Sequence, residues 1–356
     1  MIFPNVGGGL TKDFLSVLGA DGNEISIVFR LANLTKIVYT QTGKIQIHHY
    51  LGGSIMVQKS NAEIITQLPG IVCWGDSLTY GAHGGGVTYP LTLEAMIAEN
   101  FGDDRKVPVI NMGVGGENTV TILGRNGAVP YVLSEDLAIP GDSTPVDVYY
   151  TSRDGRKVAP LRQGKAGVNP VVIGGIEGTL SITQETHVSK EFSYQFTRTA
   201  PGEAKTIPAG TEIVTDASSK YLDYLPVVFM GQNGGYTDFA DLIRQQRAII
   251  DHQSANRDRF LIVGLHTGTA ESRADLEKAM AAEYGSKYIN LREYMATDAM
   301  ADAGLIPTEE DLAQMKKGST PYSLMVPDRC HFNGTGYALI GRLIYRTMVK
   351  LGYFDR

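Results

Sequence analysis

Residues 71–81 read IVCWGDSLTYG. Four apolar residues, Ile71 to Trp74, run into Gly75-Asp76-Ser77, and a helix-like period follows near Tyr89–Asn100. A short apolar run closed by glycine and followed by a helix is the mark of a buried strand opening a βα unit. The pattern recurs downstream. PVIN (108–111) precedes a helix-like stretch after Gly116, and PVVFM (226–230) precedes FADLIRQQRAIIDH (239–252), with apolar spacings of three and four. RFLIVGL (259–265) leads into ESRADLEKAMAAEYG (271–285), KYINL (287–291) ends the series, and GTGYALIGRLIYRTMVKLG (334–352) makes a closing helix. Strands that each feed a helix imply crossover connections and a parallel sheet. The pattern predicts an α/β fold.

Two zones lie outside this alternation. Up to residue 69 the chain carries short β-rich runs, EISIVFRL, KIVYTQ and KIQIHHYL, with period-two alternation and turn signals between them; His48 and His49 fall in the last. From about Gly127 to Leu225 there is no helical period. VDVYYTS, NPVVIGGIEGTLSIT, KEFSYQFTR and GTEIVTDA read there as strands. Nearly a hundred residues is too long for a loop inside a compact domain, so an inserted β subdomain is expected. The expected organisation is a β-rich piece at 1–69, an α/β domain at 70–126 and 226–356, and a β-rich insertion at 127–225.

Composition narrows the function. With 356 residues, 43% hydrophobic and 20% charged, the chain has the make-up of a folded globular protein. Lys+Arg 32 against Asp+Glu 38 leaves a net charge of -6, which argues against a nucleic-acid partner. No stretch approaches the roughly 18 apolar residues of a membrane span. No basic-then-apolar leader opens the chain, so the expected compartment is cytoplasmic by default, with secreted or phage-borne settings left open. Two cysteines, Cys73 and Cys330, make neither a disulfide framework nor a four-cysteine zinc site. There is no G-x-S-x-G elbow, phosphate loop, H-E-x-x-H helix or G-x-G-x-x-G dinucleotide turn, and no cofactor is called for.

Four stretches carry chemistry. At Gly75-Asp76-Ser77 a strand-to-helix turn presents a serine hydroxyl at the edge where open α/β sheets build their sites, although Asp and Ser also serve there as turn and capping residues. In VPDRCHFNGTGY (326–337), Asp328 and His331 lie three apart, a spacing that suits an imidazole and its orienting carboxylate as well as a structural turn. NMGVGGEN (111–118) and MGQNGG (230–235) follow strands. Their glycines permit close backbone approach to a ligand or simply form turns, and Asn233 fits an oxyanion donor or a left-handed turn residue. Asp76, His83 in the glycine-rich HGGGVTYP, and His266 at the end of LIVGLH are candidates to line a substrate pocket. His187 and His252 read as surface residues, and Cys330 as a buried inert thiol.

Topology brings all four stretches to one sheet edge. Taken together and in this order they resemble the GDSL (SGNH) esterase family: GDSLT at 75–79, Gly116 five after Asn111, Gly231-x-Asn233, Asp328-x-x-His331 and the downstream HFNGTGYALIG. The resemblance covers roughly 70–126 and 226–350, and departs at Gly234, where the family often has Asp. It implies a flavodoxin-like α/β/α sandwich. It also implies a serine esterase with Ser77 as nucleophile, His331 as base and then acid, Asp328 as orienter, and an oxyanion hole of the Ser77 and Gly116 backbone N–H groups with the Asn233 amide. No metal is implied.

The ester is open among carbohydrate O-acetyl groups, lipids and thioesters. The polar insertion, with Tyr149, Tyr150, Tyr194, Tyr221 and Tyr224, favours a saccharide if those rings face sugars rather than the insertion's own core. The alternatives are a lipase- or thioesterase-type acyl hydrolase, or a non-catalytic carbohydrate-binding or virion surface module. Oligomeric state is not written in the sequence.

Overall fold

The sheet that carries residues 71–75 has five strands: β1 (Ile71–Gly75), β2 (Val109–Gly113), β3 (Leu225–Phe229), β4 (Leu261–Val263) and β5 (Tyr288–Ile289). They are all parallel, in the order β2-β1-β3-β4-β5. This is the flavodoxin-like order, in which the chain reverses direction between β1 and β3, and open sheets bind ligands in the crevice at that reversal. In this computed structural model the strands within residues 16–57 are described by their backbone, and residues 69–101, 107–183, 193–253 and 258–354 with their side chains.

The apolar runs form these strands because both faces of the sheet are covered. Ile71 to Trp74, Leu225 and Val227 to Phe229 are at most 1% exposed and Pro226 is buried, as expected of central parallel strands, which read as continuous apolar runs rather than alternating ones. Helix α2 (Tyr89–Phe101) packs on α6 (Gly334–Lys350), while α3 (Thr119–Asn126), α4 (Phe239–His252) and α5 (Ala270–Tyr284) pack on one another. Right-handed crossovers put these two groups on opposite faces of the sheet. The register then sets the site. Gly75 pairs with Gly113 on one side and Phe229 on the other, so three strands end level and the loops that follow them emerge side by side.

Between α3 and β3 lies a second body of sheet. Seven strands run antiparallel in the order Val146–Val148, Tyr194–Arg198, Ile176–Ile182, Val171–Ile173, Glu212–Thr215, Tyr131–Leu133 and Tyr150–Ser152. Leu137–Ile139 pairs separately with Lys205–Ile207. This body has its own core, including Tyr131, Val171, Ile173, Phe196 and Ile213. Tyr131 Oη donates to the Thr121 carbonyl at 2.7 Å, and Thr215 Oγ1 to the Arg125 carbonyl at 2.8 Å, so two hydroxyls fasten it to α3.

Of the two readings open for the five tyrosines, facing sugars or packing in the core, most follow the second. Tyr150 stacks between Tyr131 and Tyr194 at 5.6 and 5.0 Å, Tyr221 meets Tyr224 edge-on, and Tyr149 alone of the five is exposed. Tyr131, Tyr150 and Tyr194 pack in the insertion's core beside Phe196, whereas Tyr221 and Tyr224 pack against the core of the parallel-sheet domain.

The division of the chain into units falls between Thr66 and Gln67. The first unit is an antiparallel meander of five strands, Ser16–Leu18, Ser26–Val28, Thr35–Tyr39, Ile45–Leu51 and Ser54–Val57, paired in chain order. His48 and His49 sit on its fourth strand. No described helix is long and apolar enough to cross a membrane.

Candidate active site

Beyond Gly75 the chain turns sharply into α1 (Ser77–Tyr80). The Asp76 carboxylate caps this turn by accepting from Leu78 N at 3.0 Å. Close packing requires the glycines at the ends of β1 and β2. A Cβ on Gly75 would lie 2.3 Å from the Phe229 carbonyl oxygen, and one on Gly113 would lie 2.0 Å from Tyr80 N. Ser77 is thereby held at the sheet edge, half-buried, with its hydroxyl toward the loop before α6.

That loop is shaped by its own polar groups. Asp328 Oδ1 accepts from Cys330 N at 2.8 Å and His331 N at 2.9 Å, and Arg329 takes a left-handed backbone (φ 58°) with its guanidinium 3.7 Å from the Tyr322 ring centroid. The second carboxylate oxygen, Oδ2, is left facing His331 Nδ1 at 2.7 Å, and His331 Nε2 lies 2.8 Å from Ser77 Oγ. A carboxylate only accepts, so Nδ1 carries the proton and Nε2 is the free acceptor toward the serine hydroxyl. Burial alone would raise the Asp328 carboxyl. The His331 backbone and imidazole N–H groups and the Cys330 N–H outweigh it and hold the carboxyl at about 2. Asp328 therefore remains an anion across the neutral range.

Two further loops face the serine. Asn111 Oδ1 accepts from Gly113 N at 2.9 Å, and Gly116 sits exposed with φ 69°. Neither Ser77 N nor Gly116 N has a hydrogen-bond acceptor among the described residues. Asn233 spends one amide hydrogen on the Glu117 carbonyl at 3.0 Å and keeps the second. Thr119 N donates to the Gly234 carbonyl at 3.0 Å, joining the same two loops again. Gly234 stands in a left-handed turn (φ 69°) with open space around it.

Beneath these loops lies a buried ion pair that no motif of the sequence marks. Arg125, fully buried, pairs with the buried Glu117 at 2.6 Å and donates to the Met112 carbonyl at 2.9 Å and the Ala166 carbonyl at 3.4 Å; the Gly75 carbonyl lies 3.5 Å away. One guanidinium thus ties the serine strand, the glycine loop and the insertion together. Burial pushes the Glu117 carboxyl up, and Arg125 opposes that rise. Gln163, from the insertion, lies over Gly116, where a Cβ would come within 2.8 Å of its Oε1.

The three pocket candidates fare differently. Asp76 is wholly buried under α1, and its Oδ2 has no hydrogen-bond partner among the described residues, so it is not a pocket surface. His266 is also wholly buried, its ring 4.2 Å from Phe332, and burial pushes it down to about 3, with the Cys330 backbone opposing that fall, so it stays neutral. Both follow strands that end at the correct edge, but they point into the protein rather than out of it. His83 is exposed and lies 5.1 Å from His331, ring centroid to centroid. His252 is half-buried, its Nε2 2.8 Å from the Ser218 carbonyl, and is not a surface residue; His187 lies outside the described residues. Cys330 is half-buried, with its thiol raised by burial and by Asp328 and Asp76.

Asp76 gives a stability prediction. Burial raises its carboxyl from 3.8 to about 7, partly opposed by the Leu78 N–H and by His331. A raised carboxyl favours the fold while protonated. The contribution is complete below about 3.8 and is lost as pH rises through about 7. Asp76→Asn keeps an oxygen for the Leu78 cap but does not ionise. Urea unfolding at pH 5 and pH 8 is expected to show wild type losing a few kcal/mol more than the variant over that interval. Equal losses would contradict the assignment.

No protein-family model and no curated protein matches the chain. Among solved structures it is similar to a lipase/acylhydrolase from Enterococcus faecalis, with 14% identity over 79% of this chain and 95% of that one and a TM-score of 0.37. It is also similar to a peptidoglycan O-acetylesterase, with 14% identity over 80% of this chain and 91% of that one and a TM-score of 0.30. At these values the likeness carries no chemistry across, and the site rests on its own atoms.

Proposed function

We propose that the chain is a serine esterase, with Ser77 as nucleophile, His331 as general base and then acid, and Asp328 as the carboxylate that fixes the imidazole. One observation carries the proposal: the unbroken relay from Ser77 Oγ to His331 Nε2 at 2.8 Å and from His331 Nδ1 to Asp328 Oδ2 at 2.7 Å. A serine hydroxyl is a weak nucleophile until an adjacent base takes its proton, and that base must be held in the correct tautomer. As Oγ attacks the ester carbonyl, its proton passes to Nε2. The oxyanion is met by the N–H groups of Ser77 and Gly116 and by the spare amide hydrogen of Asn233. Nε2 then returns the proton to the departing alkoxide, and water releases the acyl group by the same steps in reverse.

The substrate we infer is a short acyl ester of a polar alcohol, with O-acetyl groups on a saccharide as the best match. His83, Gly116, Gln163, Asn233 and Asp328 are all exposed, so the surroundings of Ser77 offer hydrogen-bonding groups rather than the apolar wall that a long acyl chain needs. The test is acetate release from an acetylated oligosaccharide and from p-nitrophenyl acetate, beside release from a long-chain p-nitrophenyl ester, with fluorophosphonate labelling mapped by mass spectrometry. Labelling at Ser77 with preferred turnover of the acetyl substrates is expected. Preferred turnover of the long chain would overturn the substrate, and label elsewhere would overturn the nucleophile.

A further inference from the structure

Among the described residues, His83, Asp328 and His331 each offer one metal-ligand atom, and these atoms lie within 4.8 Å of one another. Two loops that meet only in space supply them. We propose that they form an inhibitory binding site for a borderline divalent cation of the zinc type, occupied at the expense of the catalytic relay. The site rests on residues of the proposed esterase, but cation binding there does not depend on the reaction.

The donor set is two imidazoles and a carboxylate, a combination that suits zinc with a fourth position left for water. Tetrahedral bonds of about 2.0–2.1 Å put donors roughly 3.3 Å apart, so the side chains must close by an ångström or so. His83 and Asp328 are exposed and turn about single bonds, which allows it. Their backbones, by contrast, are fixed. His83 takes a left-handed conformation (φ 64°), unusual for a residue with a Cβ. Its neighbours are pinned by Tyr337 Oη to the Ala82 carbonyl at 2.9 Å and by Gly84 N to the Gly81 carbonyl at 3.1 Å. This conformation aims the imidazole at His331, and strain held in place by surrounding bonds gathers at functional sites.

Inhibition follows from the two nitrogens of His331. A cation on Nδ1 displaces the proton shared with Asp328, and the neutral ring then carries its proton on Nε2, where it can no longer accept from Ser77. A cation on Nε2 occupies the acceptor directly. In either case Nε2 no longer accepts the Ser77 proton, and no oxidation state changes.

Chelator-treated wild type and His83→Asn are compared, because asparagine accepts the left-handed backbone without an imidazole. Zinc chloride is titrated against acetyl-ester hydrolysis and, separately, by calorimetry with no substrate. Expected are one zinc per wild-type chain and inhibition reversed by chelator, with each protein's zinc response read relative to its own zinc-free rate. Outer-shell partners alone are worth about 10- to 100-fold in metal affinity, so loss of a ligand should move both curves by roughly tenfold or more. Equal curves for the two proteins, or no heat of binding at millimolar zinc, would overturn the site. If wild type hydrolyses nothing, the esterase reading fails while the calorimetric comparison still decides the site.

Discussion

Ser77→Ala is expected to leave the fold intact and to slow acetyl-ester hydrolysis by about 10⁴- to 10⁶-fold, the range seen when a triad nucleophile is removed. The fold should survive because Ser77 occupies the first position of α1, where alanine is well tolerated, and among the described residues its Oγ bonds only to His331. Activity should not. Without Oγ no acyl-enzyme forms, and the oxyanion donors alone retain only residual acceleration. His331→Ala should cost a similar factor, and combining the two should cost no more than either, since the groups act as one unit. Asp328→Asn tests the tautomer: an amide donor facing Nδ1 would turn the ring's proton toward the serine, at a cost of about 10⁴-fold. Initial rates on p-nitrophenyl acetate, with circular dichroism to verify folding, decide the matter. A Ser77→Ala chain that kept wild-type activity would place the chemistry elsewhere.

The second large effect belongs to the ion pair beneath the site. Glu117→Ala would leave the Arg125 guanidinium buried and uncompensated, and losing one partner of a buried pair typically costs about 3–5 kcal/mol of stability. Replacing both, Glu117→Leu with Arg125→Met, should cost markedly less, because no charge is then stranded. Activity should fall in the double variant, since Arg125 also donates to the Met112 carbonyl on the strand that leads into the glycine loop. Urea unfolding of wild type, both single variants and the double variant measures the coupling. Single variants no less stable than the double would show that the pair contributes nothing at this position.

Much of this arrangement is written in residue order. The alternation of IVCW, PVIN and PVVFM with helical stretches is legible as a parallel sheet because central parallel strands are apolar on both faces. Chain order then dictates that Ser77, Gly116 and Asn233 follow strands at a common edge. Depth is not legible in the same way. Asp76 and His266 follow the right strands yet point inward, because a side chain's direction beyond a strand end depends on turn geometry that residue identity does not encode. Arg125 is hidden for a related reason: in sequence it is an ordinary cation near the end of a helix, and its burial becomes visible only when the insertion closes over α3. His83 was visible only as a histidine among glycines, and its left-handed backbone is what brings it to His331.

The distance along the chain between the reacting groups has a consequence for how the protein comes to life. Ser77 and His331 stand 254 positions apart, and β1 meets β3 only across the whole insertion. Closing so long a loop is slow even though its entropy grows only as the logarithm of its length. An insertion with its own core shortens the effective span by folding as a unit and delivering its two ends together. No fragment of the chain that ends before His331 holds both halves of the relay.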